Sequence, residues 1–134
     1  MRFLVVLAFF FYSGVIQANQ KKTLGYEINY SAFSAKQIDK DLIQRHELGF
    51  TAQDIVVNVN ISPSQKIETV SVNGSAKSLL GATKQISFKK ILEKGEVFYL
   101  GGIEANEDDF ISFNIEITLP NQQKIPIKFA RRYD

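Results

Sequence analysis

Most hydrolytic triads and transition-metal sites are built on histidine and cysteine, and this chain carries His46 alone and no cysteine. A serine or threonine nucleophile thus has one candidate histidine base, and a zinc site would lack most of its usual nitrogen and sulfur donors. His46 falls where a short helix is expected to end, so its expected place is beside that helix's last carbonyls. The one dense group of oxygen ligands is Glu104, Asn106, Glu107, Asp108 and Asp109. Calcium takes roughly six to eight oxygens, but this spacing is not that of an EF-hand loop and the central glycine is missing. The group is expected to be a solvated acidic turn. Adjacent acids on one loop also do not fix the separation that glycoside cleavage requires of its two carboxylates. Neither an enzymatic activity, a metal site nor a cofactor is expected.

The aromatic residues offer a different chemistry. Tyr30, Phe33, Phe50 and Tyr99 can form a candidate binding surface, although aromatics at alternating strand positions more often fill a core. Phe33 falls on the opposite face from Tyr26 and Tyr30, where it can pack under a helix or meet a partner. Lys89, Lys90 and Lys94, with Arg131 and Arg132, supply positive charge without a glycine-rich phosphate loop. Solvated edge charges are the expectation for them.

The elements that must position these residues begin after a leader. Met1-Arg2, an apolar run from Phe3 to Phe11, and Val15-Ile16-Gln17-Ala18 before Asn19-Gln20-Lys21-Lys22 have the order of a secretory signal peptide, with cleavage expected after Ala18. The apolar run is well short of the roughly 20 residues that cross a bilayer. Removing residues 1–18 takes Arg2 from the 16 basic residues and leaves 15 against 14 acidic ones. So balanced a charge does not call for nucleic acid or an anionic membrane. Export without any thiol points to a bacterial envelope, most simply the periplasm of a Gram-negative cell. The remainder, residues 19–134, has the size of one domain with one core.

Leu24, Tyr26, Ile28 and Tyr30 alternate with polar residues and predict a first strand running to about Phe33. Ser34-Ala35-Lys36-Gln37 fits a capping box, and Ile38, Leu42 and Ile43 continue at near-helical spacing, so a helix is expected over about residues 35–46, with Gly49 as its stop. Period two returns with Ile55, Val57, Val59 and Ile61, and a further strand passes through Val70 and Val72. Gly74 there suggests a bulge or a close backbone approach. Leu79-Leu80-Gly81 reads as a loop with an apolar plug. From Lys84 to Leu92 the phase fails: Ile86 and Phe88 share a face, the next residue in phase is Lys90, and Ile91 and Leu92 are both apolar. A bulge near Lys89-Lys90 would restore it, and inward lysines protect sheet edges, so Ser87, Lys89 and Lys90 mark a candidate edge strand. Val97 to Leu100 is apolar on both faces and needs cover on both, and Gly101-Gly102 is expected to break or kink it. Ile111, Phe113, Ile115 and Ile117, then Ile125, Ile127 and Phe129, flank Pro120-Asn121-Gln122-Gln123 as a hairpin with one apolar face.

About seven strands with one short helix after the first predict an all-β, immunoglobulin-like antiparallel β-sandwich, with a closed barrel as the alternative.

Several segments occur together in order: Tyr26-Glu27-Ile28-Asn29-Tyr30-Ser31-Ala32-Phe33, Asn60-Ile61-Ser62, Val72-Asn73-Gly74-Ser75-Ala76-Lys77-Ser78-Leu79, and Phe129 to Tyr133. With the leader, they resemble the exported proteobacterial proteins of domain of unknown function family 4426. That family often has histidine and asparagine where Asn29 and Ser31 stand. The resemblance implies a small exported β-rich domain and brings no catalytic residues.

The function expected from these observations is non-enzymatic binding of another periplasmic or envelope protein, through pairing at an exposed strand edge. The first strand and the strand carrying Lys89 and Lys90 are the candidate edges. The alternative is a small-ligand carrier, with a pocket between the sheets or under the helix lined by Phe33, Phe50 and Tyr99.

Overall fold

A computed structural model describes residues 18–62, 70–79, 82–104 and 110–132. The expected leader, apart from Ala18, lies outside the described residues, as do Asn106 to Asp109 of the acidic group. Nine strands are described: β1 (Ala18–Thr23), β2 (Tyr26–Ser34), β3 (Asp54–Ser62), β4 (Ser71–Ser78), β5 (Thr83–Ile86), β6 (Phe88–Glu93), β7 (Glu96–Glu104), β8 (Phe110–Thr118) and β9 (Lys124–Arg132). They form two antiparallel sheets, one in the order β1-β2-β3-β7-β6 and one in the order β5-β4-β8-β9. The fold is a β-sandwich, as the alternation predicts.

The pleat explains the two layers. Ile55, Val57, Val59 and Ile61 of β3 point between the sheets and meet Ile111, Phe113, Ile115 and Ile117 of β8 and Ile125 and Ile127 of β9. Burying each such side chain is worth about 1.5–3 kcal/mol, so this inner layer is the main source of stability. Phe129 joins the sheets, with its ring centroid 4.8 Å from Phe113 and 5.1 Å from Tyr30. Lys21 Nζ donates to the Pro126 carbonyl at 2.8 Å and Arg131 donates to the Ala32 carbonyl, which closes the β1–β9 side.

Four expectations need correction. The strand that begins at Tyr26 is not an edge, because the polar segment Ala18–Thr23 pairs along it as β1. Leu24 belongs to the turn between them: Leu24 and Gly25 have φ of 53° and 82°, and Lys94 and Gly95 repeat this with 50° and 80° between β6 and β7. Both are two-residue hairpin turns with left-handed central residues.

The phase fault between Ile86 and Ile91 is a change of sheet, not a bulge. β5 ends at Ile86 on β4, Ser87 is unpaired, and β6 runs in unbroken register with β7 from Phe88 opposite Gly101 to Glu93 opposite Glu96. Ile86 and Phe88 face the inner core, while Ile91 faces the other side of its sheet.

The expected continuous helix is two pieces: a 3-10 turn at Ala35–Gln37, then extended Ile38, then α1 (Lys40–Arg45). Asp39 caps α1, and its Oδ1 accepts from Asp41 N at 3.0 Å. The fourth correction concerns two loops. Gly101-Gly102 does not break β7, and Leu79 of the expected plug is 77% exposed, while Leu80 and Gly81 lie outside the described residues. At Gly74 β4 has no bulge, but the expected close approach is present: an added Cβ would stand 3.3 Å from the Asn114 carbonyl oxygen of β8.

Candidate functional site

The five-stranded sheet has a second apolar layer on its outer face. Phe33, Val56, Phe98 and Leu100 project there, and Ala35, Ile38 and Leu42 from the helical segment cover them, with Ile91 from β6. The segment is in two parts, with extended Ile38 between them and itself buried in this layer. Ser34 Oγ accepts from Lys36 N at 3.3 Å to start the first part. Leu48 N donates to the Ile43 carbonyl at 3.0 Å, and Glu47 and Gly49 take positive φ as the chain leaves α1. Thr51 N then donates to Asp54 Oδ2 at 2.8 Å, which fixes the return to β3. Between the 3-10 turn, α1 and this return loop lies an open groove of about 530 Å³. Ile38, Ile43 and Phe50 supply its apolar lining, and Lys36, Lys40 and Gln44 its polar atoms. The Phe50 ring occupies the space above Gly102, where an added Cβ would lie 2.7 Å from it.

A polar cluster anchors the far end of α1. Glu93, the last residue of β6, is buried and accepts from Arg45 Nη1 at 3.0 Å. His46 Nε2 lies 3.2 Å from the other Glu93 oxygen. Lys89 Nζ donates to the His46 carbonyl at 2.5 Å. His46 thus bonds through its ring to an acid on the neighbouring strand as well as capping α1.

The four aromatic candidates divide between the layers. Tyr30 and Tyr99 are on the inner face, and Phe33 and Phe50 are on the helix-covered face. Phe50 alone among them lines the groove. Tyr99 is 5% exposed with no partner for its hydroxyl among the described residues, and burial raises its pKa above the usual 10. Ser87 is the sheet junction, and Lys89 and Lys90 lie on β6, which is the edge of the five-stranded sheet. Glu104 closes β7, and its carbonyl accepts from Lys84 Nζ at 3.1 Å. Among the described residues no group of three or more His, Cys, Asp or Glu side chains gathers.

Three features escape a reading by residue type alone. Glu93 looks like part of a charged turn, yet it is buried and bonded to Arg45 and His46 at the end of α1. Gly101 looks like a strand breaker, but it provides room for the β5–β6 junction. Asn29, Ser31, Asn58 and Asn60 alternate with apolar residues like a solvent-facing row, yet all are buried. Their central strands, β2 and β3, are the signal that could have found them.

The architecture is that of a two-sheet antiparallel sandwich carrying a helical insertion on one outer face. The chain belongs to the family described as Domain of unknown function (DUF4426), whose model matches residues 20–133. A crystal structure of a family member from Pseudomonas aeruginosa superposes with a TM-score of 0.75 at 18% identity, over 87% of this chain and 96% of that one. FetP from uropathogenic Escherichia coli has the same fold. A copper-bound variant of it gives a TM-score of 0.64 at 11% identity, over 89% of this chain and 91% of that one. FetP as isolated after recombinant expression in the periplasm of Escherichia coli gives 0.65 at 10% identity, over 91% and 97%. No curated protein matches the chain.

Proposed function

We propose that this protein is an exported, non-enzymatic binding domain that takes a small amphipathic ligand in the groove beside α1. The observation that carries this reading is the groove itself, about 530 Å³ in volume. Small-molecule sites usually span roughly 300–1,000 Å³ and combine apolar walls with a few polar groups. Lys36 and Lys40 are among its lining residues and no carboxylate is. An apolar body with an acidic head, such as a medium-chain fatty acid, matches that lining. The leader-like start and the periplasmic expression of FetP support export. The single histidine and the absence of cysteine leave few nucleophile–base combinations, which supports binding without catalysis.

Titration calorimetry with decanoate tests it. Uptake in one-to-one ratio that falls at least tenfold in Lys36→Glu/Lys40→Glu is the expected result. No uptake, or equal affinity for decanoate and decanol, would overturn it.

Partner capture at the β6 edge is the second reading. Leu92 on β6 is 63% exposed and gives an added strand an apolar foothold beside Lys89 and Lys90. Recovery of the same envelope proteins by wild type and Leu92→Asp in a pull-down would count against it.

A further inference from the structure

β2 and β3 carry a two-by-two block of polar side chains on the outer face of the five-stranded sheet. Asn29 stands opposite Asn60, and Ser31 opposite Asn58. Their exposures are 5%, 2%, 1% and 1% respectively. Asn60 Nδ2 donates to the Val97 carbonyl at 2.8 Å, and Asn29 Oδ1 accepts from Gln20 Nε2 at 3.3 Å. The remaining groups, Asn29 Nδ2, Ser31 Oγ and both amide atoms of Asn58, have no hydrogen-bond partner among the described residues. Unmatched buried polar atoms are costly and native chains carry few, so several in one block require an explanation.

Their chemistry defines what would satisfy them. The free groups are two amide nitrogens, one amide oxygen and one hydroxyl, with no charge. A carboxylate would leave the Asn58 oxygen unmatched and bring an uncompensated charge into a buried place. A cation would face the two NH2 groups. A neutral group with both a carbonyl and an N–H matches: the Asn58 amide pairs with it at both atoms, and Ser31 or Asn29 adds a donor to its carbonyl. Asn58 has both atoms free, so this holds for either orientation of its side chain. Opposite residues stand about 5 Å apart and successive ones on a face about 7 Å, so the four side chains border one small patch. We infer that Asn29, Ser31 and Asn58 form a buried site for one uncharged amide group of a ligand, of the kind a peptide presents. None of these residues lines the groove of the proposed function, so this site stands independently of it. Access is through local opening of this part of the fold.

The test is an NMR titration of the purified protein with N-acetylglycinamide, acetate and glycerol, following the side-chain NH2 resonances of Asn29 and Asn58. The expected result is a saturable shift with N-acetylglycinamide, no shift with acetate or glycerol, and at least tenfold weaker binding in Asn58→Leu. Should Asn58→Leu fail to fold, Ser31→Val takes its place, with at least threefold weakening expected. No shift with any probe would mean that the block holds only water, and would overturn the inference. Equal shifts with acetate, or unchanged affinity in the substituted protein, would overturn it as well.

Discussion

Nη1 of Arg45 lies 3.0 Å from each oxygen of Glu93 and fastens the last turn of α1 to the end of the edge strand β6. The Glu93 side chain is 9% exposed and the Arg45 side chain 48%. Removing the guanidinium leaves a buried carboxylate with His46 as its remaining side-chain partner among the described residues. A fully buried pair broken in this way costs about 3–5 kcal/mol, and the half-exposed arginine lowers that. Arg45→Ala is therefore expected to destabilise the fold by about 1–2 kcal/mol in urea unfolding. A loss below about 0.3 kcal/mol would show that the contact does not hold the helix down.

Gly101 is expected to tolerate no side chain. An added Cβ would stand 2.4 Å from Ile86 Cγ2 and 3.0 Å from the Ser87 carbonyl, at the point where the chain passes from one sheet to the other. Overpacking of this kind typically costs about 1–3 kcal/mol. Gly101→Ala should reach the upper half of that range. The same change in an Ile86→Leu background should cost less, because leucine has no Cγ2, while the carbonyl clash persists. Thermal melts of the four proteins give the cycle, and equal costs in both backgrounds would reject the assigned contact.

The inner layer was legible because period two writes one buried face directly into the sequence. Ile55 to Ile61 and Ile111 to Ile117 needed only to be counted. β1 was not legible, since Asn19 to Thr23 have no apolar face and earn their place by backbone pairing with β2. The β5–β6 switch shows in sequence only as a phase fault, and a bulge and a change of sheet produce the same fault. For the site, the aromatic residues could be chosen by type, but their division between two layers depends on strand parity combined with the position of the helical segment. The Asn29, Ser31, Asn58 and Asn60 block was hidden because polar alternation normally marks the solvent side.

Phe50 ties the groove to the sheet beneath it. Its ring lies where a Cβ on Gly102 would be, 2.7 and 2.8 Å from two ring carbons. The ring is the movable end of a partly buried side chain, so Gly102→Ala should push it outward at a cost below about 1.5 kcal/mol. The groove changes shape as a result. Affinity for decanoate is expected to fall about threefold or more with the melting temperature nearly kept. A large loss of stability with unchanged affinity would contradict this coupling.

Tyr99 gives the alkaline limb of the stability profile. Its hydroxyl is buried without a partner among the described residues, and desolvation raises its pKa in the folded protein. In the unfolded chain the phenol titrates at about 10. Above that pH the unfolded state releases a proton that the folded state keeps, so the unfolded state binds fewer protons and stability falls as pH rises. The loss begins near pH 10 and continues until the folded phenol also ionises. Tyr99→Phe removes the titrating group and an unmatched hydroxyl together. It should leave stability at pH 7 unchanged or raised by up to about 1 kcal/mol, and flatten the decline between pH 9.5 and 11. Urea unfolding across that range measures both effects. An identical alkaline slope in wild type and Tyr99→Phe would assign the decline to other groups.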